Sequence, residues 1–223
     1  MGSFFDSIWD TVLVVVLLMF SAVIHEMAHG YAALACGDET AKRAGRLTLN
    51  PLAHLDPFGS FILPLMMVMA GGGALAFAKP VPYNPNNLKH PVRDEVIVAF
   101  AGPFSNLVQA LIGSAILRYM IGAYTTAWPE WTLAVADGLS TYVYVNLILM
   151  FFNLIPLPPL DGSAIISPFL RGEARMTYYK IQRYSLPILL AVMYLVPMVT
   201  QFNPVSAYLS ATAGRLYNVF LGF

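Results

Sequence analysis

From Thr11 to Ile24 the chain carries no charged residue, and its apolar run continues to Cys36, broken only by His25, Glu26 and His29. A bilayer core of ~30 Å is crossed by about 20 apolar residues in a helix, so this run predicts a membrane span over 11–36. Further apolar runs predict spans at 92–121, 139–155 and 186–202. Pro156, Pro187 and Pro197 lie in or beside the last two, where a helix bundle tolerates them if neighbours satisfy the freed backbone groups. The run over 58–78 contains Pro64 and the triplet Gly71-Gly72-Gly73, and is expected to enter the membrane and turn back. Beyond Pro204 the pattern becomes amphipathic. Val205, Tyr208, Leu209, Thr212, Leu216 and Phe220 recur at helical spacing opposite Ser206, Ser210, Arg215 and Asn218, which predicts an interfacial helix over 204–222. Gly45–Asn50 alternates polar and apolar residues and predicts a short β-like segment. The expected fold is all-α, a single polytopic transmembrane domain.

Composition agrees. The 223 residues are 58% hydrophobic and 11% charged, against about 25% charged in an average soluble domain. Basic and acidic residues balance, so nothing suggests nucleic acid as a partner. The single cysteine, Cys36, excludes an intramolecular disulfide. No Lys or Arg precedes Lys42, so the first run is expected to stay as a working helix rather than be removed as a signal peptide. Charge also orients the chain. Lys42, Arg43 and Arg46 follow the first span, Lys79, Lys89 and Arg93 precede the second, and Arg171, Arg175, Lys180 and Arg183 precede the last. The loop from Ala123 to Asp137 has no basic residue. The positive-inside rule then places the N-terminus outside and the basic loops in the cytoplasm, provided that 58–78 does not cross the bilayer once.

The chemistry concentrates in His25-Glu26-Met27-Ala28-His29. Positions i and i+4 share a helix face, so both imidazoles can reach one metal with the glutamate beside it, the pattern of zinc peptidases. Ionisable groups inside a membrane span cost about 3 kcal/mol each on insertion scales, which favours function over two core histidines. A catalytic zinc generally takes three protein ligands and a water. The candidate third is Asp161, in Asn153-Leu154-Ile155-Pro156-Leu157-Pro158-Pro159-Leu160-Asp161-Gly162, although this stretch taken alone reads first as a proline-rich exit turn with a solvated aspartate. On the topology above, Asp161 and the two histidines fall on the same side.

Three motifs together resemble the site-2 protease family of intramembrane zinc metalloproteases. They are His25-Glu26-x-x-His29, Ala101-Gly102-Pro103-Phe104-Ser105-Asn106 and Asn153-x-x-Pro156-x-Pro158-x-x-Asp161-Gly162. The resemblance covers three core helices, roughly 12–167. It implies a three-helix catalytic core with further helices, one zinc per chain held by His25, His29 and Asp161, Glu26 as catalytic base, and Asn153 facing the site. No insertion accommodates a PDZ domain and no tail a CBS domain, so the resemblance is to a short form.

Other residues keep two readings. Asn153 could donate to the oxyanion or act as helix-packing glue. His54, in Asn50-Pro51-Leu52-Ala53-His54-Leu55-Asp56-Pro57, could contact the attacking water, bind zinc at rest or stabilise the oxyanion. Alternatively, Asn50 and Asp56 cap proline turns and His54 is interfacial. Gly102, Ser105, Asn106, Gly113 and Ser114 read as close helix packing. The segment at 45–50 could hold an unwound substrate by strand addition, or be a connector. The leading expectation is an endopeptidase that cuts a membrane-anchored substrate near the cytoplasmic end of its transmembrane helix, in a prokaryotic plasma membrane. A silent scaffold or a metal-ion transporter using the same site is the alternative.

Overall fold

The structure, a computed structural model, describes residues 2–56, 79–123 and 129–222. All regular structure among these is helical: α1 (Gly2–Ala35), α2 (Thr40–Arg43), α3 (Pro91–Ala123), α4 (Glu130–Asn153), α5 (Asp161–Ile166), α6 (Gly172–Gln182), α7 (Ser185–Thr200) and α8 (204–221). Three segments are long and apolar enough to cross a membrane: Thr11–Ala35 in α1, all of α3, and Trp131–Asn153 in α4. Helices α6 and α7 form a fourth candidate together, bent by 75°. The span expected at 139–155 therefore begins earlier. Pro129 is the N-cap of that helix, which opens at residue 130. The expected re-entrant segment, 58–78, lies outside the described residues.

Helices α1, α3 and α4 form the core, α3 running antiparallel to the other two. Its interior combines apolar side chains such as Val98, Val143 and Leu147 with an unusual number of polar ones, and its outside is apolar. Ser21, His25, Asn106, Gln109, Ser114 and Asn146 are buried, whereas Val15, Val16, Phe20, Phe104, Ile112 and Ile116 are exposed. That distribution suits a lipid solvent, in which apolar side chains gain nothing by leaving the surface and polar groups must find partners inside. Gly113 lets α3 and α4 approach, since a Cβ there would lie 3.0 Å from Val143 Cγ2. Helix α8 closes one side. It buries Ala213 against Ala110, Val143 and Leu147, with Leu216, Tyr217 and Phe220 packed around them.

No strand forms at Gly45–Asn50. Gly45 has a left-handed φ of 64°. Side chains then replace ladder partners: Asn50 N–H donates to Thr48 Oγ1 and Leu52 N–H to Asn50 Oδ1, both at 3.1 Å.

Helix α1 ends in a Schellman motif. Gly37 has φ 108°, its N–H donates to Leu34 O, and Asp38 N–H donates to Ala33 O at 2.9 Å. Asp38, now buried, accepts from Thr40 N–H and Oγ1–H, from Asn84 N–H at 2.7 Å and from Asn87 Nδ2 at 2.8 Å. Lys89 N–H donates to Cys36 O at 3.1 Å, and Lys79 N–H to His54 O at 2.8 Å. The end of α1 and the approach to α3 are thus pinned side by side, at one end of the bundle.

Candidate metal centre

The antiparallel register of α1 and α3 sets opposite one another two stripes of spacing four. His25 and His29 lie on α1, and Val98, Gly102 and Asn106 on α3. His29 Nδ1 is 2.7 Å from Val98 O, and His25 Nδ1 is 2.6 Å from Asn106 Oδ1. A backbone carbonyl only accepts, so His29 carries its hydrogen on Nδ1 and donates it there. His25 donates to Asn106 in the same way. Gly102 fits between them because it lacks a side chain. A Cβ at that position would lie 2.3 Å from His29 Nε2 and 2.6 Å from His25 Cε1.

Asp161 arrives from the other direction. The chain leaves α4 through Leu154–Leu160 and folds back, so that α5 starts beneath the end of α4. Gly162 makes this possible, as a Cβ there would lie 2.4 Å from Leu154 O and 2.6 Å from Ile155 O. The Asp161 carboxylate then closes a triangle. Oδ2 is 3.1 Å from His25 Nε2 and 3.3 Å from His29 Nε2, and the two nitrogens are 3.0 Å apart.

With both Nδ1 atoms donating outwards, neutral imidazoles turn bare Nε2 lone pairs towards each other and towards a carboxylate oxygen. That oxygen is buried without a hydrogen-bond donor among the described residues. Three acceptors so close repel unless a cation lies among them. Ligand bonds of ~2.0–2.1 Å in a tetrahedral site put ligand atoms ~3.3 Å apart, and these edges match. The donor set, two imidazoles and one carboxylate, fits zinc and leaves a fourth position open.

Beside this triangle, Glu26 Oε2 accepts the Val81 N–H at 2.8 Å. Pro80 and Pro82 flank Val81 and have no N–H of their own, so this stretch offers Glu26 a single amide. Asn153 ends α4, its Nδ2 donating to Leu149 O of the same helix at 3.0 Å. His54 is buried, its Nε2 donating to Thr48 O at 2.9 Å, and its Nδ1 has no partner among the described residues. The structure therefore brings His25, His29 and Asp161 together, with Glu26 next to His25 in the chain. No hydrogen bond among the described residues joins Asn153 or His54 to that group.

Sequence reasoning placed Gly102 and Asn106 among packing residues and passed over Asn146, Val98 and Val81. An asparagine at mid-span, as Asn146 is, was the available signal, because polar groups at that depth require partners. The Val98 carbonyl and Val81 amide are backbone groups and leave no trace in residue identity.

Comparison with known proteins leads to the same chemistry. The model of peptidase family M50 matches residues 13–142 and 120–196. The "Putative zinc metalloprotease YwhC" of Bacillus subtilis is 38% identical over 201 residues, covering 90% of this chain and 86% of that protein. The "Putative zinc metalloprotease Rip2" of Mycolicibacterium smegmatis is 26% identical over 216 residues, covering 92% and 79%. Its namesake in Mycobacterium tuberculosis H37Rv is 29% identical over 187 residues, covering 83% and 68%. No solved structure matches the chain. A family match over most of the chain, on a fold that converges two histidines and an aspartate, makes this protein a member of peptidase family M50, the site-2-type zinc metalloendopeptidases.

Proposed function

We propose that the protein hydrolyses a peptide bond within or near a transmembrane helix of a membrane-anchored substrate, close to the cytoplasmic side. The observation that carries this reading is the convergence of His25 Nε2 and His29 Nε2, on a helix long and apolar enough to cross a membrane, with Asp161 Oδ2 at the start of α5. These three residues would hold the metal. Zinc, when bound, polarises the scissile carbonyl and lowers the pKa of water towards ~7.

Glu26 is the general base in this scheme. Its carboxylate takes a proton from the attacking water and returns it to the departing amine. The Val81 amide holds one Glu26 oxygen at 2.8 Å, which leaves the other free for the proton. Asn153 stands at the end of α4, eight positions before Asp161, and would supply a side-chain N–H to the developing oxyanion once released from Leu149 O. His54 would act beside the 79–83 segment, whose Lys79 N–H donates to the His54 carbonyl. The cytoplasmic placement is supported by the basic residues Lys42, Arg43 and Arg46 immediately beyond the α1 end that bears the histidines.

Cleavage of a helix-anchored reporter in proteoliposomes tests the reading. Glu26→Gln should retain zinc and lower cleavage at least ~100-fold, the lower range for a general base. Cleavage unchanged by that substitution would remove Glu26 from the chemistry.

A further inference from the structure

The carbonyl of Tyr142 can only accept a hydrogen bond, and Asn146 Nδ2 lies 2.9 Å from it and 3.0 Å from Ser21 Oγ. The Asn146 amide is therefore oriented with Oδ1 towards α3, where Asn106 Nδ2 donates to it at 2.9 Å. Asn106 Oδ1 is thereby turned to His25 Nδ1, 2.6 Å away. An acceptor at that place requires the hydrogen on Nδ1 and leaves Nε2 bare for a metal. Every link is an obligate consequence of the one before. A main-chain carbonyl of α4 decides the tautomer of a ligand on α1, through two asparagines.

The chain of bonds crosses all three core helices and returns to α1 one turn from where it ends, at Ser21. Ser21, Asn106 and Asn146 are each fully buried, so neither amide can rotate without stranding a polar group inside the bundle. His29 does not share this support, since its acceptor is the Val98 carbonyl itself.

We propose that Asn106 and Asn146 are positioning residues of the zinc site, Asn106 holding His25 in its metal-binding tautomer and Asn146 holding Asn106. The proposal rests on the metal-binding reading of His25, His29 and Asp161, and is independent of the peptidase chemistry. It distinguishes these asparagines from packing residues by what each must do. Asn106 must present an acceptor to His25, which aspartate also does and leucine does not. Asn146 touches no ligand, and acts only by setting the sense of its neighbour.

Zinc affinity of the purified full chain, measured by competition with a chelator, tests this, with thermal unfolding of the metal-stripped protein alongside. Asn106→Leu should weaken zinc binding 10–100-fold, the usual effect of losing an outer partner of a ligating histidine. Asn106→Asp should bind zinc close to the wild-type level even where the metal-stripped protein is less stable. Asn146→Leu should weaken binding roughly tenfold without contacting a ligand, which keeps the idea testable if Asn106→Leu does not fold. Wild-type affinity in both leucine variants would overturn the proposal. So would Asn106→Asp binding as weakly as Asn106→Leu, because affinity would then follow packing and not the acceptor.

Discussion

At the scale of single residues, Gly102 shows how little room the metal site leaves. It sits midway between the two groups of α3 that accept from His29 and His25, and faces the Nε2 edges of both rings. One added methyl would fall 2.3 Å from His29 Nε2, the nitrogen proposed to bind the metal. Gly102→Ala is therefore expected to lower zinc affinity at least ~10-fold, the scale of lost ligand orientation, while the metal-stripped protein keeps its helical content by circular dichroism. Equal zinc affinity in the two proteins would mean that α3 shifts freely, against the close approach seen here. The histidine motif was legible in the sequence because its spacing is local. The role of Asn106 was not, because it depends on the register between two helices about 80 residues apart. A polar residue in a span announces that it has a partner, but not which one.

At the scale of elements, the segment 79–90 is held at both ends. Val81 meets Glu26 near the metal centre, and Asn84 and Asn87 meet Asp38 beyond the end of α1. Burial disfavours the charge on Asp38, but hydrogen bonds from Thr40, Asn87 and Asn84 outweigh it and hold its carboxyl below the ordinary aspartate range. Its unfolded value is about 3.9, so the stabilisation is complete above that pH and is lost as pH falls through the lower folded value. Hydrogen exchange at the Asn84 amide should therefore be flat from neutral pH down to about 4, after correction for intrinsic rates, and accelerate only in stronger acid. Asp38→Ala should accelerate it 10–100-fold at neutral pH, as expected for losing a hydrogen bond to a charged group worth about 1.5–3 kcal/mol. Unchanged exchange would show that the segment is held by something other than Asp38. Three long helices were legible from apolar runs, which lipid exposure enforces. The start of α4 was not, because Glu130 and Asp137 read as loop residues although both lie within the helix. The alternation at 45–50 misled for a related reason: a strand needs a partner, and local side-chain bonds to the backbone took that place.

For the molecule as a whole, the apolar exterior and the partnered polar groups inside make a bundle for lipid, and the hydrogen bonds from Lys79 to His54 and from Lys89 to Cys36 hold the returning chain at the end of α1. The chain that leaves α1 comes back to the same end before α3 begins. With the proposed orientation, that end faces the cytoplasm and the far ends of α3 and α4 face outward. In a Cys36→Ala background, a membrane-impermeant maleimide should label Tyr119→Cys in intact cells and Arg43→Cys only after lysis. The reverse pattern would turn the protein over and place cleavage at the outer face. The same end of the bundle gathers the charge, the Asp38 junction and the metal-binding triangle, so orientation and chemistry stand together. The triangle itself is the central claim, and metal content tests it most directly. Purified wild type and Glu26→Gln should each carry about one zinc per chain, and Asp161→Ala should be depleted after dialysis against a chelator that leaves the wild type loaded. A full complement of zinc in Asp161→Ala under those conditions would contradict the account, because the third ligand would then lie elsewhere.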